Sequence, residues 1–146
     1  QAIQDHINND PELLRRQGLL TTIPGIGKLT AAKLLGEIRD ILDFDNARQL
    51  AAYAGLTPRN IFSGSSVHKK TRLSKTGNAN LRKALYMPAL SAKRWNPIIA
   101  QFCLRLSQNG LRPKEVIGAA MRKLLHICFG VVKSGRPFDP NYLLVT

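Results

Sequence analysis

The chain has 146 residues, 44% of them apolar, which supports a packed core and excludes wholesale disorder. No apolar run approaches the roughly 18 residues that a bilayer crossing needs, and no signal-peptide pattern opens the chain, so a soluble cytoplasmic protein of bacterial type is expected. The net charge of +13, from 22 basic and 9 acidic residues, points to a polyanionic partner.

Residues 1–18 read as a helical arm. Asp10-Pro11 supplies an N-cap and first helical residue, Leu13 and Leu14 give apolar contacts, and Gly18 is read as a break. Gln1 stands where an initiator methionine would, so a fragment of a longer protein is expected. A short helix from Leu20 is expected to end at Pro24-Gly25-Ile26-Gly27. A second helix follows, with Leu29, Ala32, Leu34, Leu35 and Ile38 near helical spacing. Asp43 or Asp45 is expected to cap a third helix over residues 47–54, which Gly55-Leu56-Thr57-Pro58 ends. Residues 59–77 form a long polar loop rich in Ser, Gly, Lys and Thr, of the kind that is either functional or disordered.

Asn78 caps the next helix, which runs to about Lys93 with Leu81, Leu85 and Leu90 as a stripe; Pro88 should kink it or be compensated by a neighbour. Asn96-Pro97 opens a helix that Asn109-Gly110 stops, and Arg112-Pro113 opens the last one, over residues 114–133. That helix carries Ile117, Met121, Leu124, Leu125, Ile127 and Phe129, and apolar residues on more than one side hint at oligomer contacts. The tail from Ser134 reads as irregular. With neither strand alternation nor an internal repeat, the fold class is all-α: a helix-hairpin-helix, then a helical bundle with a long basic Ser/Gly loop. The expected division is an arm at 1–18, a main domain at 19–133 with the hairpin motif at 20–38, and a tail at 134–146.

The charge is unevenly placed. Between Asp45 and Glu115 there is no acidic residue, while Arg48, Arg59, Lys69, Lys70, Arg72, Lys75, Arg82, Lys83, Lys93, Arg94, Arg105, Arg112 and Lys114 fall there. These thirteen equal the whole net charge, and the remaining nine basic residues balance the nine acidic ones. A solvated surface would carry both signs; one continuous basic segment is the footprint of a nucleic-acid partner.

Ile23-Pro24-Gly25-Ile26-Gly27 between two helices is the sharpest local pattern. Two glycines let the backbone turn tightly and approach a ligand. Free N–H groups at Gly25, Gly27 and Lys28, at the start of a helix, favour an anion, and Lys28 and Thr30 add side-chain donors. Such a site grips phosphate without reading bases. Residues 20–38 resemble the helix-hairpin-helix family of DNA-binding motifs, with the proline, both glycines and the Thr30-Ala31 pair in place.

Ser63-Gly64-Ser65-Ser66 lies inside the basic interval, next to His68, Lys69, Lys70, Arg72 and Lys75. A serine needs a base, a metal or a strongly positive site to act as nucleophile. The basic side chains could hold a phosphate, but no carboxylate is local; a loop whose hydroxyls merely contact phosphate is the plainer alternative.

Tyr53-Ala54-Gly55-Leu56-Thr57-Pro58, Ser63-Gly64, Leu73-Ser74-Lys75-Thr76-Gly77-Asn78 and Leu81-Arg82-Lys83-Ala84-Leu85 together resemble the C-terminal domain of the DEDD-type insertion-sequence transposases, which include pilin-inversion recombinases. The similarity spans residues 19–133. It implies an all-α transposase domain whose serine attacks a DNA phosphodiester, partnered by an N-terminal RuvC-like domain with four acidic residues and divalent metal (Mg). It also implies DNA as substrate, homo-oligomers and, in some members, a structured guide RNA. The matching nucleophile is Ser63, with Ser65 and Ser66 as rivals, while the segment after Gly64 departs from the family's arginine- and glycine-richer pattern. From local chemistry alone, Lys69, Lys70 and Arg72 beside the serines, and Lys75, Asn78, Arg82 and Lys83 around a helix start after Gly77, are candidate phosphate contacts. The acidic residues present, four of them at Glu37, Asp40, Asp43 and Asp45, do not form a four-carboxylate set, so these residues alone are expected to bind DNA without cutting it.

Cys103 and Cys128 lack metal-ligand spacing and read as buried thiols. Trp95 is expected to anchor the core, with base stacking as the alternative, and His126 to be a core or interface histidine. His68 is a candidate for proton transfer. Two other readings compete: a helix-hairpin-helix DNA glycosylase using Asp43 or Asp45, and a non-catalytic DNA-binding module of a repair or branch-migration protein.

Overall fold

The computed structural model describes residues 2–38, 40–56 and 78–141, and among them every regular element is helical. In chain order these are α1 (Ala2–Asn8), α2 (Pro11–Leu20), α3 (Lys28–Glu37), a 3-10 turn (Ile41–Asp43), α4 (Ala47–Tyr53), α5 (Ala79–Trp95), α6 (Pro97–Gln108) and α7 (Pro113–Ser134). The 59–77 loop lies outside the described residues.

The N-terminal elements are fixed by their caps. Asp10 accepts from the N–H groups of Glu12 and Leu13 at 3.0 and 3.2 Å, and Pro11 follows as the first helical residue. The expected break at Gly18 is absent: α2 runs through it to Leu20. The expected short helix from Leu20 is absent too. Leu20 is the last residue of α2, and residues 21–26 make successive turns instead, with Ile23 N–H on Leu20 C=O and Ile26 N–H on Ile23 C=O. A proline at 24 and a glycine at 25 leave too few residues for a helix of their own. Gln17, almost fully buried, ties three helices together: its amide exchanges bonds with Gln4 on α1 and donates to the carbonyl of Lys28 on α3.

Two further expectations need correction. α4 is capped by neither Asp43 nor Asp45: Asn46 does it, accepting from Gln49 N–H at 2.9 Å. Leu29, expected among the apolar contacts of α3, is 69% exposed; Ala31, Ala32 and Leu34 form the buried face instead. Leu29 is the second residue of the helix and projects beyond the packed layer.

The core is organised around α7, which packs against α2, α4, α5, α6 and the 3-10 turn. Wrapped by so many neighbours, it buries Val116, Ala120, Leu124, Leu125, Cys128 and Val132 within this one chain. Full burial of each large aliphatic side chain contributes about 1.5–3 kcal/mol. α5 stays continuous through the buried Pro88. α7 ends at Gly135, whose φ of 70° is left-handed and whose N–H returns to Val131 C=O. Of the expected tail, Ser134 instead closes α7, and residues 136–141 are irregular, with Phe138 packed on the core and its N–H donating to Thr22 Oγ1 at 2.8 Å.

Candidate nucleic-acid interface

The turn between α2 and α3 is held from behind by the α5–α6 junction. Gly25 has φ +107°, and a Cβ there would meet Ala92 of α5 at 2.8 Å from its Cβ and 2.9 Å from its Cα. Asn96, completely buried, donates its amide to Pro24 C=O at 3.1 Å while its side-chain oxygen caps α6 through Ile98 and Ile99 N–H. One side chain thus fixes a helix start and a turn 72 residues away in sequence. Sequence reading identified Asn96 as a helix start and missed this second role.

The front of the turn is open. Gly27 is the N-cap of α3 and is exposed, with nothing within 4 Å of where a Cβ would stand. Among the described residues no acceptor meets the N–H of Gly25, Gly27, Lys28, Leu29 or Thr30. Lys28 is exposed and Thr30 half-buried, at the first and third positions of the helix. Beside them lies a shallow recess of about 500 Å³ lined by Leu14, Gln17, Gly18, Thr21, Ile26, Gly27 and Lys28. Gly18, like Gly27, leaves space there. Donors without acceptors, a helix start and a lysine make this recess suited to an anion.

The second group of expected contacts sits at the start of α5. Asn78 occupies the N-cap position, but its side chain makes no cap bond. Arg82 is half-buried and donates from its guanidinium to Ala54 C=O at 3.5 Å, linking α5 to the end of α4, and Lys83 is exposed. Ser63, Ser65, Ser66, His68, Lys69, Lys70, Arg72 and Lys75 lie outside the described residues.

Trp95 does not anchor the core. It is 68% exposed at the end of α5, with the Arg94 guanidinium 5.5 Å from its ring centre. Cys103 and Cys128 are buried free thiols, as expected; burial pushes the Cys128 thiol up to about 12, so it stays protonated and inert.

A basic cluster that charge counting overlooked lies on α7, because Arg122, Lys123 and His126 fall after Glu115. Among the described residues, the Nε of Arg122 and the Nε2 of His126 are buried and meet no hydrogen-bond partner. Burial, then the charges of Arg122, Lys123 and Arg48, hold the His126 imidazole down to about 4. Burial and Arg48 lower Arg122, and burial, Arg105 and Arg122 lower Lys123. An arginine and a histidine four apart on an otherwise apolar helix were the available signal.

Glu12 and Asp40 are used structurally. Arg16 is almost buried and takes Glu12 at 2.7 Å and Asp40 at 2.9 Å, while Asp40 also caps the 3-10 turn. Glu12 is held down to about 2 by hydrogen bonds from Arg15 and Arg16. Among the described residues, no three His, Cys, Asp or Glu side chains gather as a metal-binding group. No described helix is long and apolar enough to cross a membrane.

The family model described as transposase IS116/IS110/IS902 family matches residues 17–104. The chain is 47% identical to the pilin gene-inverting protein of Moraxella bovis over 135 residues, covering 91% of this chain and 42% of that protein. It is 29% identical over 139 residues to an uncharacterized 43.6 kDa protein of insertion element IS110 from Streptomyces coelicolor, covering 95% and 34%. A transposase for insertion sequence element IS1111A from Coxiella burnetii is 42% identical over 64 residues, covering 44% and 17%. The chain spans less than half the length of these relatives. With the family model matched over more than half of its residues, the chain belongs to the IS116/IS110/IS902 transposase family.

Proposed function

We propose that this chain is the DNA-binding, serine-bearing domain of a transposase or site-specific recombinase that breaks and rejoins DNA during insertion-sequence transposition. The observation that carries the reading is the turn before α3. Its rear is locked by Gly25 on Ala92 and by Asn96 on Pro24, and its front leaves a row of backbone donors beside Lys28. It acts as a helix-hairpin-helix: Gly27, Lys28 and Thr30 hold a DNA phosphate, and rigidity at Gly25 keeps the donors aligned. Asn78, Arg82 and Lys83, with Lys69, Lys70, Arg72 and Lys75, continue the contact along the backbone. Ser63, or its rivals Ser65 and Ser66, is the nucleophile: its oxygen attacks a phosphodiester phosphorus, and the sugar oxygen leaves.

Carboxylates and divalent metal belong to a RuvC-like domain outside these residues, since Glu12 and Asp40 are committed to Arg16. Residues 19–133 are the transposase domain, and the working protein is a homo-oligomer with a structured guide RNA as a further partner. The test is in two parts. DNA affinity of the chain should fall steeply between roughly 50 and 200 mM salt, as counterion release demands; flat salt dependence would sink the binding claim. Ser63→Ala, placed in a protein that also carries the RuvC-like domain, should abolish recombination and keep DNA binding. Surviving recombination there, with Ser65→Ala and Ser66→Ala equally active, would favour a binding module with no nucleophile.

A further inference from the structure

We propose that Trp95, backed by Arg94, is a stacking platform for an unpaired nucleobase beside the α2–α3 turn, so that this domain favours strands with unstacked bases over intact duplex. The inference rests on the nucleic-acid reading above and deepens it.

Trp95 is the only tryptophan in the chain, and a tryptophan offers more apolar area than any other side chain. Here it is 68% exposed. The Arg94 guanidinium, 5.5 Å from the ring centre, occupies one face in the arrangement that aromatic rings favour with cations. The solvent-exposed remainder of the indole is a flat π surface.

Its position ties it to the turn. Ala92, one helical turn earlier on α5, is the residue that Gly25 packs against, and Asn96, the next residue, holds Pro24. Residues three apart on a helix have Cβ atoms about 5–6 Å apart. Gly27 lies two residues beyond Gly25, a reach of at most about 7 Å. Adding the Gly25–Ala92 contact of 2.8 Å and a donor-to-phosphate bond of about 3 Å, a phosphate on the Gly27 and Lys28 donors sits within roughly 20 Å of Trp95, or about six nucleotides of a stacked strand at about 3.4 Å each. Lys93 and Arg94 are exposed on the same helix end, within the interval that lacks acidic residues. A cationic rim around an aromatic face suits a polyanion whose bases can be turned outward. Between copies of this chain the same rim would meet a like net charge of +13, which opposes self-association. An intact duplex exposes no base face, which is why the unpaired base is the occupant.

The single tryptophan makes the test direct. The 146-residue chain is titrated with an oligothymidylate of about 16 nucleotides, the upper end of single-strand site sizes, and with a duplex of the same length, following tryptophan emission and affinity. The single strand should quench the emission. Trp95→Ala should lose about tenfold in single-strand affinity, within the roughly 5- to 150-fold that one stacked base contributes. Its duplex affinity should stay within about twofold, and Trp95→Tyr should recover most of the loss because a tyrosine ring also stacks. Circular dichroism confirms that the exposed substitution leaves the helices intact. Unchanged single-strand affinity, or equal losses on single strand and duplex, would overturn the inference. So would an emission shift that follows protein concentration without DNA, which would assign the face to a second copy. Binding to neither probe by the unaltered chain would overturn the nucleic-acid reading as well, whereas salt-dependent duplex binding with an indifferent Trp95 would overturn this inference alone.

Discussion

Gly25→Ala separates architecture from ligand contact in the turn. The backbone at Gly25 has φ +107°, and a methyl group there would stand 2.8 Å from Ala92 Cβ, 2.9 Å from its Cα and 3.0 Å from its N. Two of those three atoms are helix backbone, which cannot swing away. A non-glycine residue in such a conformation costs about 1–3 kcal/mol, and forced overpacking costs about 1–3 kcal/mol more. The predicted loss is about 2–6 kcal/mol, a large share of the roughly 5–15 kcal/mol that holds an ordinary domain together. Gly27→Ala is the matched control. Its φ is −90° and no atom lies within 4 Å of the added methyl, so the fold should lose under about 1 kcal/mol. Urea unfolding followed by helical circular dichroism measures both. With a urea slope of about 1–3 kcal/mol/M, Gly25→Ala should lower the midpoint by about 1 M or more and Gly27→Ala by far less. DNA affinity should show the reverse in folded protein, because the methyl at 27 projects into the recess where phosphate sits. Equal stabilities for the two variants would refute the assignment of one glycine to packing and the other to ligand approach.

The same junction predicts that Asn96→Ala loses about 2–4 kcal/mol, from a missing cap of about 1 kcal/mol and a carbonyl at Pro24 left without its buried donor at about 1–3 kcal/mol; thermal melts that match the parent would refute this. His126 predicts an acid-sensitive fold. Its folded pKa of about 4 lies below the ordinary 6.5, so as pH falls the unfolded chain binds the proton first. Stability is full above about 6.5 and drains between there and about 4, by up to about 3 kcal/mol. His126→Leu should flatten that stretch of the stability–pH curve, and an unchanged slope would show that other groups set it.

Much of the architecture was legible because it rests on local rules. Asp10-Pro11, Asn96-Pro97 and Arg112-Pro113 each begin a helix where cap and proline chemistry put one, and Asn109-Gly110 ends another. Errors arose where tertiary packing outweighs local preference. Gly18 reads as a breaker, yet α2 is held through it by Gln17, whose partners on α1 and α3 no local window contains. Trp95 was assigned to the core on hydrophobicity, but its neighbours Ala92 and Asn96 take the inward positions and leave the indole outside. Counting charge by interval found the basic segment and missed Arg122, Lys123 and His126, which topology brings to Arg48 on a distant helix. For the site, residues 25–30 were readable because a turn's chemistry is local.

The exclusion of acid extends to the capping residues, and this yields a further prediction. Where the chain tolerates carboxylates, it caps with them: Asp10 for α2 and Asp40 for the 3-10 turn. Beyond residue 45 the N-cap positions of α4, α5 and α6 hold Asn46, Asn78 and Asn96; the last two are buried and Asn96 needs its amide for Pro24, so the exposed Asn46 is the informative one. Aspartate and asparagine cap about equally well, and aspartate adds about 0.3–1 kcal/mol of favourable interaction with the helix dipole. Folding alone therefore gives no reason to avoid aspartate at an exposed cap, whereas a polyanionic partner does. Asn46→Asp isolates that reason, because the residue is exposed and its cap bond to Gln49 N–H at 2.9 Å survives the substitution. Stability should hold or rise slightly. DNA affinity at low salt should fall about twofold or more, since one negative charge about 10 Å from a phosphate costs about 0.4 kcal/mol in water and more near protein. The loss should shrink at high salt, where screening shortens the range of the added charge. A stable Asn46→Asp variant with undiminished affinity at low salt would place the start of α4 away from the bound strand and confine the interface to the α2–α3 turn and α5.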